Sequence, residues 1–245
     1  MRRIRHLSVI LIFAVLSACG TPKSDGEFSD PYEARNREVH EANIAIDRRY
    51  VRPISQAYGS IIPKPVQTGV TNFSANLDMP GMVINDLLQL RVGDALWNSS
   101  RFLFNSTVGL AGLFDPADSI GMSERATDFG ETMHVWGFGE GNYVELPLVG
   151  PSTERDTVGM IVDTAMNPTR LVFPNAAQRN FVTMANVAGK LTQRYQYSDF
   201  IDSILYESAD SYAQLRLLYL QKRRHDLARG KEPKYSDPYE DPYAQ

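Results

Sequence analysis

The chain has 245 residues, with 25 basic and 29 acidic side chains and a formal net charge of −4 at pH 7. This acidic balance argues against a nucleic-acid partner, because affinity for nucleic acid rests on the neutralisation of phosphates by lysine and arginine. Cys19 is the only cysteine, which excludes a disulfide within the chain.

Residues 1–18 have the pattern of a secretory signal peptide. Arginines at positions 2, 3 and 5 precede an apolar run from Leu7 to Leu16, which is too short to span a bilayer as a helix. The run ends in Leu-Ser-Ala-Cys, a match to the bacterial lipobox. We therefore expect Cys19 to be the first residue of the mature protein and to carry acyl chains, which hold a protein on a membrane. The alternative is a thiol that occurs in a signal peptide by chance.

Composition divides the rest of the chain into three parts. The polar segment 19–29 is expected to be a lipidated tether, and residues 30–230 a single helical domain. The tail 231–245 repeats Asp-Pro-Tyr and is expected to be disordered. After the signal peptide, no apolar stretch is long enough to predict a transmembrane helix.

The first predicted helix begins with Asp30 as N-cap and Pro31 at the first helical position, and it runs to about Tyr50. Its predicted apolar stripe consists of Val39, Ala42, Ile46 and Tyr50. The pair Arg52-Pro53 predicts a break or kink, followed by a second helix over residues 53–61.

The region 65–107 is unusually apolar, and its pattern predicts three helices. They cover residues 65–75, 79–90 and 92–107, with Pro80 near the start of the second. Large apolar residues occupy more than one face, and asparagines are interleaved with them at positions 72, 76, 85, 98 and 105. Such helices either lie deep in a protein core or face lipid, and the sequence leaves both open.

A glycine-rich, aromatic and irregular segment follows over residues 109–151. Within it we predict a short helix at 128–134 and an extended segment at 143–147. Three helices come after it: one from a cap at Ser152 or Thr153 to about residue 165, one at 176–195, and one at 199–228 that Gly230 ends. An apolar stretch at 171–173 lies between two prolines. The basic run 222–224 would contact lipid headgroups or simply solvent.

Motifs for catalysis or metal binding are weak. Glu131 and His134 share a helical face, but a zinc site needs three or four ligands. The glycine-rich run 137–141 lacks the flanking strand, helix and lysine of a phosphate loop, which favours a turn. The sequence contains no Gly-x-Ser-x-Gly, and scattered acids at 115, 118, 128 and 131 are explained by helix caps and surface positions. We therefore expect no enzyme, no metal and no cofactor besides the lipid on Cys19.

The motifs of residues 30–230, in this order, resemble the MlaA (VacJ) family of outer-membrane lipoproteins. The opening Asp-Pro-Tyr-Glu at 30–33 with Asn-Arg at 36–37 matches the family's start. The densest match combines 101–102 and 105–107 with Gly-Leu-Ala-Gly-Leu-Phe-Asp at 109–115, and further matches are 128–132, 137–143, 146–153 and 219–224. Three positions depart from the pattern. His40 and Ala42 stand where aromatics are common, and Ser211 replaces the proline of a late Asp-Pro-Tyr.

The resemblance implies an all-α, ring-shaped lipoprotein in the inner leaflet of the outer membrane, with a central amphipathic channel. Members of the family work beside trimeric porins and pass misplaced phospholipids to a soluble periplasmic carrier of the Mla system. This retrograde transport maintains the lipid asymmetry of the outer membrane. Gly20, where lipoproteins retained in the inner membrane usually have aspartate, fits a lipid-anchored protein on the periplasmic side of the outer membrane.

For such a ring we predict a channel wall in the helix 92–107. Three polar residues at helical spacing share one face, namely Asn98, Arg101 and Asn105. Apolar residues such as Leu96 and Leu103 point elsewhere. In an embedded ring the polar face lines a passage for headgroups, and Arg101 pairs with a lipid phosphate. The alternative is an ion pair between Arg101 and a nearby acid such as Asp115.

Two other functions stay open at this point. A lipid-hydrolysing enzyme requires a nucleophile next to a base, and the sequence displays no such arrangement. A non-catalytic scaffold that binds other outer-membrane proteins would purify without lipid.

Overall fold

The computed structural model describes residues 30–168 and 175–229, and this part of the chain is mostly helical with one two-stranded hairpin. The predicted all-α class is therefore confirmed. The predictions for the signal peptide, Cys19, the tether, the stretch 171–173, Gly230 and the tail fall outside the described residues.

The first helix, α1, spans Glu33–Ile46 and begins later than predicted. Tyr32 is at the N-cap position and makes no side-chain capping bond. The predicted cap, Asp30, is used elsewhere: its carboxylate accepts hydrogen bonds from Asn36 at 2.9 Å, and from Tyr212 and Arg216 in the last helix. The capping prediction was wrong because a buried charge pair outweighs a local cap.

Of the break or kink predicted at Arg52-Pro53, the break is wrong, because the chain stays helical there. A π-helical turn at Asp47–Val51 connects α1 to α2, which spans Arg52–Ile61. Pro53 lies in the first turn of α2, where a proline costs no intrahelical hydrogen bond. The π-helical turn supplies the change of register that lets the helix continue.

The next two predicted helices form a single helix, α3, which spans Lys64–Leu88 and contains Pro80 in its interior. An internal proline costs about 3 kcal/mol. Packing against both α4, Val92–Thr107, and the later helix α8, Ala176–Gln196, holds α3 together across that position. The bounds of α4 agree with the prediction.

The glycine-rich segment contains short elements at the predicted places. The predicted short helix is α6, Phe129–Val135, which Asp128 caps. A further short helix that was not predicted, α5, spans Pro116–Ser119 and is capped by Asp115. Strands β1, Tyr143–Leu146, and β2, Gly150–Thr153, pair antiparallel, with Tyr143 opposite Thr153. Helix α7, Glu154–Met166, begins at the predicted cap Thr153.

The predicted last helix is interrupted. It consists of α9, Ser198–Asp202, a second π-helical turn at Ser203–Glu207, and α10, Ser211–Ala228. Ser208 has extended backbone, and Asp210 begins α10 by accepting the amide hydrogen of Ala213 at 3.0 Å. The break was missed because the apolar spacing continues across it.

The contacts between elements close into a ring. In order, α3 packs on α6, α6 on α7, α7 on β2, β2 on β1, β1 on α1, and the first π-helical turn links α1 to α2. Helix α2 packs on α8, and α8 returns to α3. Helix α4 lies against α3, and α10 contacts β2. The ring shape that the resemblance implied is thus present in the packing.

The polarity of the fold is inverted relative to a water-soluble domain. Among the described residues, buried polar and charged side chains outnumber buried hydrophobic ones, while many large hydrophobic side chains are exposed. In α1 the buried residues are Asn36 and His40, whereas Ala42 and Tyr50 of the predicted apolar stripe are exposed. Within the described residues, no helix is long and apolar enough to cross a membrane.

Candidate functional site

The polar face of α4 is directed into the protein. Asn98 is 0% exposed, and Arg101 and Asn105 are also buried. The side-chain amide of Asn98 donates to Asp86 of α3 at 2.8 Å and to the carbonyl of Arg125 at 3.0 Å. Asn98 therefore joins α4 to α3 and to the loop around Arg125.

Arg101 forms the ion pair with Asp115 that the alternative interpretation predicted. Its guanidinium also donates to the carbonyl of Met122. Asn105 completes the arrangement, because its amide donates to Asp115 at 2.9 Å and its carbonyl accepts the amide hydrogen of Ala117 at 3.1 Å. Together with Asn98, these bonds hold the segment 115–125 against α4.

The segment 115–125 also contains Glu124, whose side chain is exposed. Burial by surrounding atoms nevertheless raises the pKa of Glu124. Burial likewise raises the pKa of Asp78 in α3 to about 6, with repulsion from Glu124 as a further cause and attraction by Lys190 opposing it.

Asp78 and the charges that act on it come from four segments. Asp78 belongs to α3, Lys190 to α8, Asp163 to α7, and Glu124 to the segment held by α4; all three neighbours act on the charge of Asp78. Since α3, α7 and α8 all belong to the ring, the charges of Asp78, Asp163 and Lys190 interact between its members. We name these four residues the inner charged group.

The basic end of α10 joins separate parts of the ring. Arg223 donates to Asp128 at 2.7 and 2.8 Å and to Asp156 at 2.9 and 3.0 Å. Further along, Arg224 pairs with Glu140, and Arg229 pairs with both Glu131 and Asp94. The run 222–224 was predicted to contact lipid headgroups or solvent, and its arginines instead form ion pairs within the protein. Lys222, at the same end of α10, is exposed. A carboxylate held by a planar guanidinium fork fixes the geometry of both partners.

The weak motifs have structural roles. Glu131 accepts bonds from Arg91 and Arg229, both at 2.6 Å. In residues 30–168 and 175–229, no group of three or more His, Cys, Asp or Glu is placed to hold a metal ion. Gly137 and Gly141 have positive φ angles of 92° and 73°, as the turn interpretation predicted.

Much of the exposed surface of the described residues is apolar. On α4, Leu96 is 64% exposed and Leu103 is 61% exposed, opposite the buried polar face. Other exposed apolar side chains lie on α2, on α8 and in the turn after α4: Ile54, Ile61, Phe181, Met184, Val187, Leu110, Leu113 and Phe114. So much exposed apolar surface marks contact with a membrane or a protein partner.

Sequence reasoning missed the inner charged group. Its members come from four segments, and each is a single charged residue without a local motif. The asparagines of α3 and α4 were the one signal in the sequence that pointed to this group. They mark the buried faces by which these helices contact each other and their neighbours.

Known proteins resemble this chain over most of its length. The sequence model of one family, described as MlaA lipoprotein, matches residues 28–226. The intermembrane phospholipid transport system lipoprotein MlaA of Escherichia coli is 32% identical, over 99% of this chain and 95% of its own. An uncharacterized protein of Rickettsia bellii is 32% identical, over 80% of this chain and 76% of its own. A solved structure reported under "Structural basis for maintenance of bacterial outer membrane lipid asymmetry" superposes with a TM-score of 0.68 at 26% identity, covering 81% of this chain and 99% of that one.

Proposed function

This chain belongs to the MlaA lipoprotein family, and on that premise we propose that it removes misplaced phospholipids from the outer leaflet of the outer membrane. It passes them to a soluble periplasmic carrier, and this retrograde transport maintains lipid asymmetry. The inverted polarity carries the proposal: many polar and charged side chains are buried, and many large apolar ones are exposed. A ring set among acyl chains requires that arrangement, because an uncompensated polar group in hydrocarbon is costly.

The proposal places the protein in the outer membrane, with the acyl chains on Cys19 as its anchor on the periplasmic side. A lipid anchor suits a chain whose described helices are too short or too polar to cross a bilayer. A trimeric porin is the proposed neighbour in the membrane. Relatives named as parts of an intermembrane transport system support the existence of such partners.

We further propose that headgroups pass along the inner charged group. Asp78 and Glu124 line the passage, and the polar face of α4 stands directly behind Glu124. In this proposal the wall is supported from behind by Asn98, Arg101 and Asn105. Asn98 and Arg101 bind the backbone carbonyls of Arg125 and Met122, on either side of Glu124. Asn105 binds the carboxylate of Asp115, at the start of the segment 115–125. Transport along such a passage makes and breaks no covalent bond, and so needs no catalytic residue.

Photo-crosslinking tests the location of this passage. A benzoylphenylalanine at position 78 or 124 is expected to capture phospholipid in membranes, because both positions belong to the inner charged group. Capture at 98 and 105 should be weaker, as the probe must reach past the segment 115–125. The same probe at the exposed Lys222 is the control and should capture none. If the four inner positions yield only protein adducts, the passage lies elsewhere.

Outer-leaflet phospholipid in a deletion strain tests the function itself. Palmitoylation of lipid A reports such phospholipid when the acyltransferase is active, and we expect it to rise on deletion of the gene. The wild-type gene should return palmitoylation to the normal level, whereas Cys19→Ala should not, because without acyl chains the protein is not delivered to the outer membrane. An unchanged level on deletion would rule out this transport role and favour the scaffold.

A further inference from the structure

Three buried or half-buried side chains from three elements form a hydrogen-bonded chain that transport does not require. The Nε2 atom of His40 in α1 lies 3.0 Å from the Oγ atom of Ser211, the first residue of α10. On the opposite edge of the imidazole, Nδ1 of His40 lies 3.3 Å from a carboxylate oxygen of Glu145 in β1. The order serine, imidazole, carboxylate is that of a hydrolytic triad, which is recognised by geometry rather than by fold.

The surroundings fix the orientation of each member. The imidazole of His40 packs edge-on against Tyr212, with ring centroids 5.6 Å apart. Glu145 accepts a hydrogen bond from Tyr143, and its amide hydrogen is donated to Asn36 at 3.0 Å. His40 and Glu145 are buried, whereas Ser211 is partly exposed. A buried base with a partly exposed nucleophile is the arrangement that covalent catalysis needs.

The start of α10 provides donors for a developing negative charge. Within the described residues, the amide hydrogens of Ser211 and Tyr212 have no acceptor, while that of Ala213 is taken by Asp210. The carboxylate of Asp210 is paired with Arg37 at 2.9 and 3.0 Å, which offsets its charge. Two free amides at the N-terminus of an 18-residue helix suit an oxyanion.

We propose that Ser211, His40 and Glu145 constitute a serine-hydrolase site for carboxylic esters of fatty acids. The Oγ atom of Ser211 attacks the ester carbonyl carbon while His40 Nε2 takes its proton. The ester C–O bond then breaks, and His40 returns the proton to the leaving alcohol. Water, activated by the same imidazole, cleaves the acyl-serine bond and releases the carboxylic acid. Glu145 is a positioning residue, because it orients the imidazole and touches no reacting atom.

The neighbouring surface suits an acyl chain. One helical turn after His40, the side-chain carbonyl of Asn43 accepts the amide hydrogen of Leu148 at 2.8 Å. This bond places the hairpin turn, with the exposed Leu148 and Val149, beside the same face of α1. The activity would be separate from transport, which uses none of these three side chains. It would revise the expectation that the protein is not an enzyme.

An active-site probe tests the proposal on the full-length protein purified in detergent. A fluorophosphonate should phosphonylate Ser211, as identified by peptide mass spectrometry, and p-nitrophenyl butyrate should be hydrolysed. Ser211→Ala should abolish both labelling and hydrolysis. The matched control Ser208→Ala, three residues earlier, should retain both. We expect His40→Phe to lower kcat/KM by about 10²–10⁴-fold, the usual contribution of a general base.

Glu145→Gln separates catalysis from a structural role, since it keeps the shape and one hydrogen bond but removes the charge. It should lower kcat while leaving KM unchanged, and the melting temperature reports whether the fold is intact. Labelling of Ser211 that depends on His40 supports the triad. Absence of label on Ser211 in folded protein, or hydrolysis that Ser211→Ala leaves intact, overturns it and makes the His40–Ser211 bond purely structural.

Discussion

Arg101→Met is expected to lower the free energy of unfolding by about 2–3 kcal/mol, because it leaves the half-buried carboxylate of Asp115 without its cation and the carbonyl of Met122 without its donor. The Arg101 side chain is buried, and its guanidinium contacts both Asp115 and the carbonyl of Met122. Methionine fills a similar volume but satisfies neither acceptor. The carboxylate of Asp115, which also caps α5 and binds Asn105, would then lie near an apolar side chain.

The matched control is Arg125→Met, in the segment that Asn98 and Arg101 hold. Arg125 pairs with Asp94 at 2.6 Å and lies 4.3 Å from the centre of the Trp97 ring, but its side chain is 41% exposed. An exposed pair contributes less than about 1 kcal/mol, so the control should lose no more than that. Urea unfolding in detergent micelles, followed by circular dichroism, measures both. Equal losses for the two variants would contradict the supporting role of Arg101.

Helix boundaries that depend on local capping residues were predictable from the sequence. The bounds of α4 agree with the prediction, and α6 and α7 begin at Asp128 and Thr153, which accept amide hydrogens of the first turn. Each of these signals acts within a few residues, so a single sequence displays it. Where the prediction failed, at Asp30 and at the single helix α3, the deciding contacts lie far apart in the chain.

The direction of each helix face was harder to predict. Periodicity identifies a polar and an apolar face, but it does not say which one is inside. In α1 the inside is polar: Asn36 donates to the carbonyl of Tyr143, 107 residues away. For α4, the resemblance supplied the direction, and Arg101 was correctly given Asp115 as an alternative partner. The contact between His40 and Ser211 spans 171 residues, which no local motif reveals.

The double variant Leu96→Lys/Leu103→Lys is expected to weaken membrane association strongly while leaving the fold intact. Both leucines are exposed and lie seven residues apart on the outer face of α4. A lysine costs about 2.5–3.5 kcal/mol at the centre of a membrane and less towards the interface. Even a total of about 3 kcal/mol lowers the partition coefficient roughly 100-fold.

Vesicle flotation measures this effect best in the Cys19→Ala background, where no acyl chain holds the protein on the bilayer. The control is Gln214→Lys/Gln221→Lys, which adds the same charge at two exposed positions seven residues apart on α10. The control should float like the parent, and circular dichroism should show equal helix content in all three proteins. If the leucine variant floats as well as the control, the outer face of α4 does not contact acyl chains. A protein partner would then cover the apolar residues of α4, and this helix would not be the part of the ring that contacts the leaflet.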